Sequence, residues 1–204
     1  MAVTTVQSLL DKAATVIQDR TNIRWSTDEL RGWLNEAYQQ VVLLRPEANA
    51  KTAQVNLVAG SKQTIPAEGT AFLSVIRNVS GRAVRRVARE VLDDQIPDWH
   101  VASQSSVIEH YVVEADPKVY YVYPPASSTA ALEIVYSSVP EPHTSNIGTI
   151  QLDDRYAPAL LDYMLYRAYQ KDADYAANDQ RSATAYQTFL ASLGVQNATP
   201  MAQS

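Results

Sequence analysis

The sequence predicts an α+β protein: an α-helical bundle formed by the N- and C-terminal helices, with an antiparallel β-rich region inserted between them. Apolar residues recur at helical spacing up to Leu44 and again beyond Asp153, whereas from about Lys51 to Pro140 they alternate with a period of two. Turn residues punctuate the middle stretch where its strands should reverse.

The elements follow in order. From Thr5 to Asp19, Val6, Leu9, Leu10, Ala13, Val16 and Ile17 form one amphipathic face. The next helix starts at Ser26, because Glu29 stands three residues on, as a capping box requires. It should end near Leu44, since Pro46 disfavours helical geometry just before it. Its inner face reads Leu30, Trp33, Leu34, Ala37, Tyr38, Val41 and Leu44. "TAQVNLVAGSKQTIP" reads as a hairpin turning at Ala59-Gly60-Ser61, and "LSVIRNVSGRAVRRV" as a second turning at Ser80-Gly81. "VIEHYVV", "KVYYVYP" and "ALEIVYS" read as a three-stranded meander, and "REVLDDQIPDWH" as a short helix that stops before Pro97. Helices return with Asp153 or Asp154 as cap and Pro158 in the first turn, running to about Lys171. A last helix runs from Asn178 or Asp179 to Leu193 and is closed by Gly194. The expected organisation is N-terminal helices over 1–50, a β insertion over 51–150, C-terminal helices over 151–194 and a flexible polar tail over 195–204.

Composition excludes several classes of function. With no cysteine there are no disulfides, thiolate nucleophiles or cysteine-based metal sites. A net charge of −5 disfavours a general nucleic-acid binder, so any polyanion contact must be local. No apolar run is long enough to cross a bilayer, and Met1 to Leu10 lack the pattern of an export signal. The chain is therefore expected to work in a cytoplasm, or in something assembled there.

"YAPALLDYMLYRAYQKDADYA", residues 156–176, is a helix with no plainly wet side. Ala157, Leu160, Leu161, Met164 and Ala168 share one face, and Tyr163, Tyr166 and Tyr169 spread over the remaining arc. Such a helix is covered on more than one side. Either the tyrosines lie over the β insertion of the same subunit, or this helix, with Tyr156, Tyr163, Tyr166 and Tyr169, is a subunit interface.

No catalytic pattern emerges. His100, His110 and His143 fall in a loop, a strand and a proline-rich connector, with no metal-ligand spacing on a helix. Asp93-Asp94 and Asp153-Asp154 stand at helix boundaries, where carboxylates cap amides; acid–base work is the alternative. The glycines assemble neither a nucleophile elbow nor a phosphate loop. No cofactor or metal is expected.

Arg77, Arg82, Arg85, Arg86 and Arg89 crowd into one stretch, where they either grip an acidic protein surface or line a DNA conduit, or pair with Glu90, Asp93 and Asp94. "PDWH" (Pro97 to His100) either plugs the underside of its own sheet or docks a partner.

The element order, with "WSTDELRGWLNEAYQQV", "GRAVRRVAREVLDDQIPDWH", "YYVYPPA", "LEIVYSSVPEP" and "LDDRYAPALLDYMLYRAYQKDADYA", resembles the head-to-tail adaptor (connector) proteins of tailed bacteriophages. The likeness runs from about Leu9 to Gly194. It implies a virion protein that forms a ring, usually a dodecamer, under the portal, extends the DNA channel and offers a platform to the next tail or stopper protein. On this sequence, the Tyr156 to Tyr175 helix would face neighbouring copies, and Val195, Gln196, Asn197 and Met201 would dock on the portal. DNA would be met only as the passing genome, and no catalytic residue is implied. Other readings left open are a stopper or tail-terminator ring, a small-ligand or nucleic-acid-binding module, and an enzyme with an unrecognised site.

Overall fold

The computed structural model describes residues 3–172 and 176–195. The elements are α1 (Val6–Val16), α2 (Thr27–Leu44), β1 (Ala50–Asn56), β2 (Gly60–Thr64), β3 (Gly69–Asn78), β4 (Arg85–Arg86), α3 (Arg89–Gln95), β5 (His110–Val113), β6 (Val119–Ala126), β7 (Ala131–Ser138), α4 (Ala157–Lys171) and α5 (Ala176–Ser192). Helices at both ends and sheets between them make this the expected α+β fold. The chain gathers into two compact units, one made of the residues up to Ala48 together with those from Pro140, the other of Asn49–Val139.

In the helical unit, α4 packs against α1, α2 and α5. Ser26 caps α2 in the expected way: its hydroxyl accepts from the Glu29 amide while the Glu29 carboxylate accepts from the Ser26 amide. The loop from α1 to α2 is closed by one carboxylate, because Asp19 accepts from the amides of Ile23, Arg24 and Trp25 at 2.9–3.0 Å. These bonds hold Asp19 below the usual carboxylate range, that of Trp25 most strongly. Gly194 ends α5 with φ +66°, a conformation that costs other residues energy. There the Arg45 guanidinium donates to the Leu193 carbonyl at 2.6 Å.

The β unit departs from the sequence reading. Its sheets have strand orders β1-β7-β3 and β2-β6-β5-β4, and residues of both meet in one core that includes Phe72, Tyr120, Val122, Leu132 and Ile134. The first expected hairpin does not form, since β1 pairs with β7 and β2 with β6; of the second only the Ser80-Gly81 turn and one antiparallel bridge, Arg77 to Ala83, form, while β3 pairs with β7 and β4 pairs in parallel with β5. Of the meander only β5 and β6 are partners; β7 crosses to the other sheet.

Two buried side-chain amides make these crossings affordable to the backbone. Gln63, 3% exposed, accepts from the Val58 amide and donates to the carbonyls of Val58 and Gly60, replacing a hairpin ladder. Asn78, 1% exposed, accepts from the Ile108 amide and donates to the carbonyls of Arg82 and Ile108, pinning the Ser80-Gly81 turn to the approach of β5. Between β4 and β5, Trp99 packs with Leu92 and Val112, and its indole donates to Asp93 at 2.8 Å.

Replacing Asn78 by alanine strands buried backbone groups and is expected to cost about 2–3 kcal/mol. Amide hydrogen exchange checks it: the Ile108 amide should exchange much faster while amides of α4 keep wild-type protection.

Candidate interaction surfaces

The tyrosines of α4 divide into two kinds. Tyr163 is 5% exposed, its ring meeting Phe189 of α5 edge-on at 5.3 Å, so it belongs to the core of its own subunit. Burial raises its hydroxyl pKa. Tyr156, Tyr166 and Tyr169 are half-buried, and Tyr166 leans on Tyr186 at 4.9 Å. The buried face is Ala159, Leu160, Tyr163, Met164 and Ala168; Ala157 and Leu161 are only partly covered. The face is turned from the expected one because α5 covers the flank on which Tyr163 projects. Tyr175 lies outside the described residues.

Outside this core, Leu165 and Tyr169 of α4 and Ala177, Thr184 and Ala185 of α5 line an open groove of about 440 Å³. Asp162 shares it; burial raises its pKa, and the Ser192 hydroxyl donates to it at 3.4 Å. A second cleft of about 670 Å³ has Asp19, Ile23, Trp25, Tyr169 and Arg181 among its walls. Across it Arg24 pairs with Asp172, and Asn178 donates to the same carboxylate at 2.8 Å.

Three of the five clustered arginines are neutralised, though mostly by other acids than expected. Arg77 pairs with Glu133 at 2.6 Å, Arg82 with Glu109 at 3.2 Å, and Arg89 with Asp93 and Glu114 at 3.2 and 3.4 Å. Arg85 and Arg86 are exposed and have no ion pair among the described residues. Glu133 on β7, and Glu109 and Glu114 flanking β5, are brought near the arginines only by the topology, which explains why local spacing misassigned them.

The acidic pairs are not simple helix caps. Asp153 accepts from the Arg155 amide at 3.1 Å, as a cap does, but Asp154 accepts from the amides of Val3 and Thr4 at 2.7 and 2.9 Å and fastens the start of the chain. The histidines remain apart. His100 stacks on Trp99 and contacts the hydroxyl of buried Ser61 at 2.8 Å, a pairing that sequence distance concealed. "PDWH" thus packs its tryptophan beneath its own sheet. His143 contacts the Tyr38 hydroxyl at 3.0 Å, and Asn35 brackets its backbone by donating to its carbonyl and accepting from its amide. No group of acidic and histidine side chains with metal-binding geometry occurs among the described residues. Nor is any helix among them long and apolar enough to cross a membrane.

Of the residues expected to reach a partner through the tail, Val195 packs against the helical core and donates its amide to the Leu190 carbonyl at 2.9 Å. Gln196, Asn197 and Met201 lie outside the described residues.

Compared with known proteins, the chain matches the family model described as SU10 adaptor protein over residues 4–204. No curated protein sequence matches it.

The connector from Pro140 is fastened to α2 through a titratable side chain. Burial, and secondarily the Arg31 guanidinium, hold His143 below the ordinary imidazole range, so the fold favours its neutral form. Stability from this contact is present above the unfolded-state pKa of about 6.5 and lost as pH falls below it. Thermal melts from pH 7 to 5.5 should show a smaller fall in Tm for His143→Gln, which keeps a polar partner for Tyr38 without titrating.

Proposed function

Because the chain belongs to the SU10 adaptor protein family, and is thereby a bacteriophage structural adaptor protein, we propose that its copies form a ring beneath the portal, joining head to tail and extending the DNA channel. The observation that carries this is the extent of the match, residues 4–204, which takes in both the helical and the β unit. The ring is a dodecamer built from one repeated heterologous contact, in which a patch on each subunit meets a different patch on the next. The groove between α4 and α5 is the patch of choice: it is lined mainly by apolar and small side chains, and Tyr169 stands half-buried at its edge. Tyr156 and Tyr166 extend the contact, while Tyr163 supports it from within the core.

The protein acts by contact and shape rather than by catalysis. A subunit of net charge −5 suits a conduit, since a wall that gripped phosphates would retard the genome. Val195 is anchored on the bundle, so the segment after it, with Gln196, Asn197 and Met201, starts from a fixed point from which to engage the portal. The ring is assembled in the host cytoplasm and ends in the virion at the head–tail junction, where it meets the next tail or stopper protein.

Imaging purified protein mixed with the cognate portal tests this reading: a ring stacked coaxially on the portal is expected, and two components that never associate under packaging conditions overturn it. Tyr169→Asp should leave Tm within about 2 °C of wild type and abolish the ring, since half-exposed positions contribute little to the fold. Tyr163→Ala should instead cost the subunit itself about 3 kcal/mol, read by chemical denaturation. Removing residues 196–204 should weaken portal attachment with Tm unchanged.

A further inference from the structure

We propose that the free edge of β4 receives an extended acidic segment of a partner protein, which adds as a strand at Arg86 and is held by Arg85 on one face of the sheet and Arg86 on the other.

The backbone supplies the first part of the argument. β4 is the edge strand of its sheet. The amides of Arg85 and Val87 both turn inward, donating to the carbonyls of Glu109 and Tyr111 at 2.9 and 3.0 Å. In a parallel pair these groups alternate, so the N–H and C=O of Arg86 turn away from β5. That outward peptide group is what an incoming strand pairs with.

Side chains supply the second part. Arg85 stands beside His110 and Arg86 beside Tyr111, and successive strand residues point to opposite faces. Each arginine lines its own hollow: Arg85 one of about 240 Å³ with Arg82, Glu109 and His110, Arg86 one of about 460 Å³ whose other charged walls are Arg89, Glu90 and Glu114. Glu109 is already paired to Arg82 and Glu114 to Arg89, whereas Glu90 has no ion pair among the described residues and limits its hollow to one further acid. The match is therefore a strand carrying two consecutive acidic residues, one carboxylate for each guanidinium.

The same features favour a peptide over DNA. Phosphate binding rests on a sustained run of free cations. Here three of the five arginines are neutralised by their own subunit, and the outward-turned Arg86 peptide group offers a register that a sugar–phosphate backbone cannot use. The edge belongs to a single subunit, so this inference stands apart from the ring.

The experiment is selection of the full-length protein against a displayed library of random nine-residue peptides, with a duplex DNA arm. Enriched peptides should share two adjacent acidic residues within a strand-forming context, and bind Arg85→Ala/Arg86→Ala at least tenfold more weakly. Lys62→Ala/Lys118→Ala, which removes the same charge elsewhere, should bind them as wild type does. Arg85→Glu/Arg86→Glu should enrich paired lysines or arginines instead, and the Arg86 amide should gain hydrogen-exchange protection when a selected peptide is added. The proposal is overturned if no peptide enriches, if enriched peptides lack the acidic pair or ignore the arginine variants, if Arg86 gains no protection, or if those variants abolish binding of duplex DNA rather than of peptide. Thermal melts confirm that each variant folds.

Discussion

A helix with apolar or aromatic side chains around most of its circumference must be covered on most sides, and α4 dictates the helical unit for that reason. α1, α2 and α5 all pack on it, and its buried residues Leu160, Tyr163, Met164 and Ala168 lie in the same core as Leu34, Tyr38 and Phe189. The approach to α1 and the end of α5 are tied down by polar clamps: Asp154 holds the amides of Val3 and Thr4, and Arg45 holds the Leu193 carbonyl. What α4 leaves for another molecule is the rim where Leu165 and Tyr169 meet α5. Three helices of the same chain thus cover most of α4, where the sequence had left open a cover by the β insertion or by a neighbouring copy.

In the β unit the corresponding constraint is the satisfaction of backbone groups where the chain changes sheets. A crossing leaves amides and carbonyls without a ladder, and a buried one without partners costs stability. Gln63 and Asn78 supply those partners from fixed side chains, allowing β1 and β2, and β3 and β4, to separate. Their amides do locally what a strand neighbour would have done.

This explains which parts of the fold were legible. Helices α1, α2 and α4 could be read because their signals are local: a spacing, the Ser26–Glu29 box, Pro158 in a first turn. The strands could be read as strands for the same reason. Their pairing could not, since alternation says that a strand has an inner face and nothing about which strand lies beside it. Gln63 and Asn78 look in sequence like ordinary polar positions, and only their burial reveals their task. Among candidate contact residues, the arginine cluster was visible as composition. Which two of its members remain unpaired depends on Glu133, Glu109 and Glu114, brought alongside by β7, β5 and their flanks.

The two proposed contacts differ in physical character, and the difference bears on how an adaptor is used. The groove between α4 and α5 offers Leu165, Ala177 and Ala185, so association there draws on removal of apolar surface from water, which salt screens little. The β4 edge offers two guanidiniums, a directional but salt-screened attraction that steers encounter and selects the partner. A subunit of the proposed ring needs permanence toward its siblings and discrimination toward the protein proposed to follow it. Placing the apolar contact on the bundle and the charged one on a strand edge lets each requirement be met by the interaction suited to it, without either surface having to serve both.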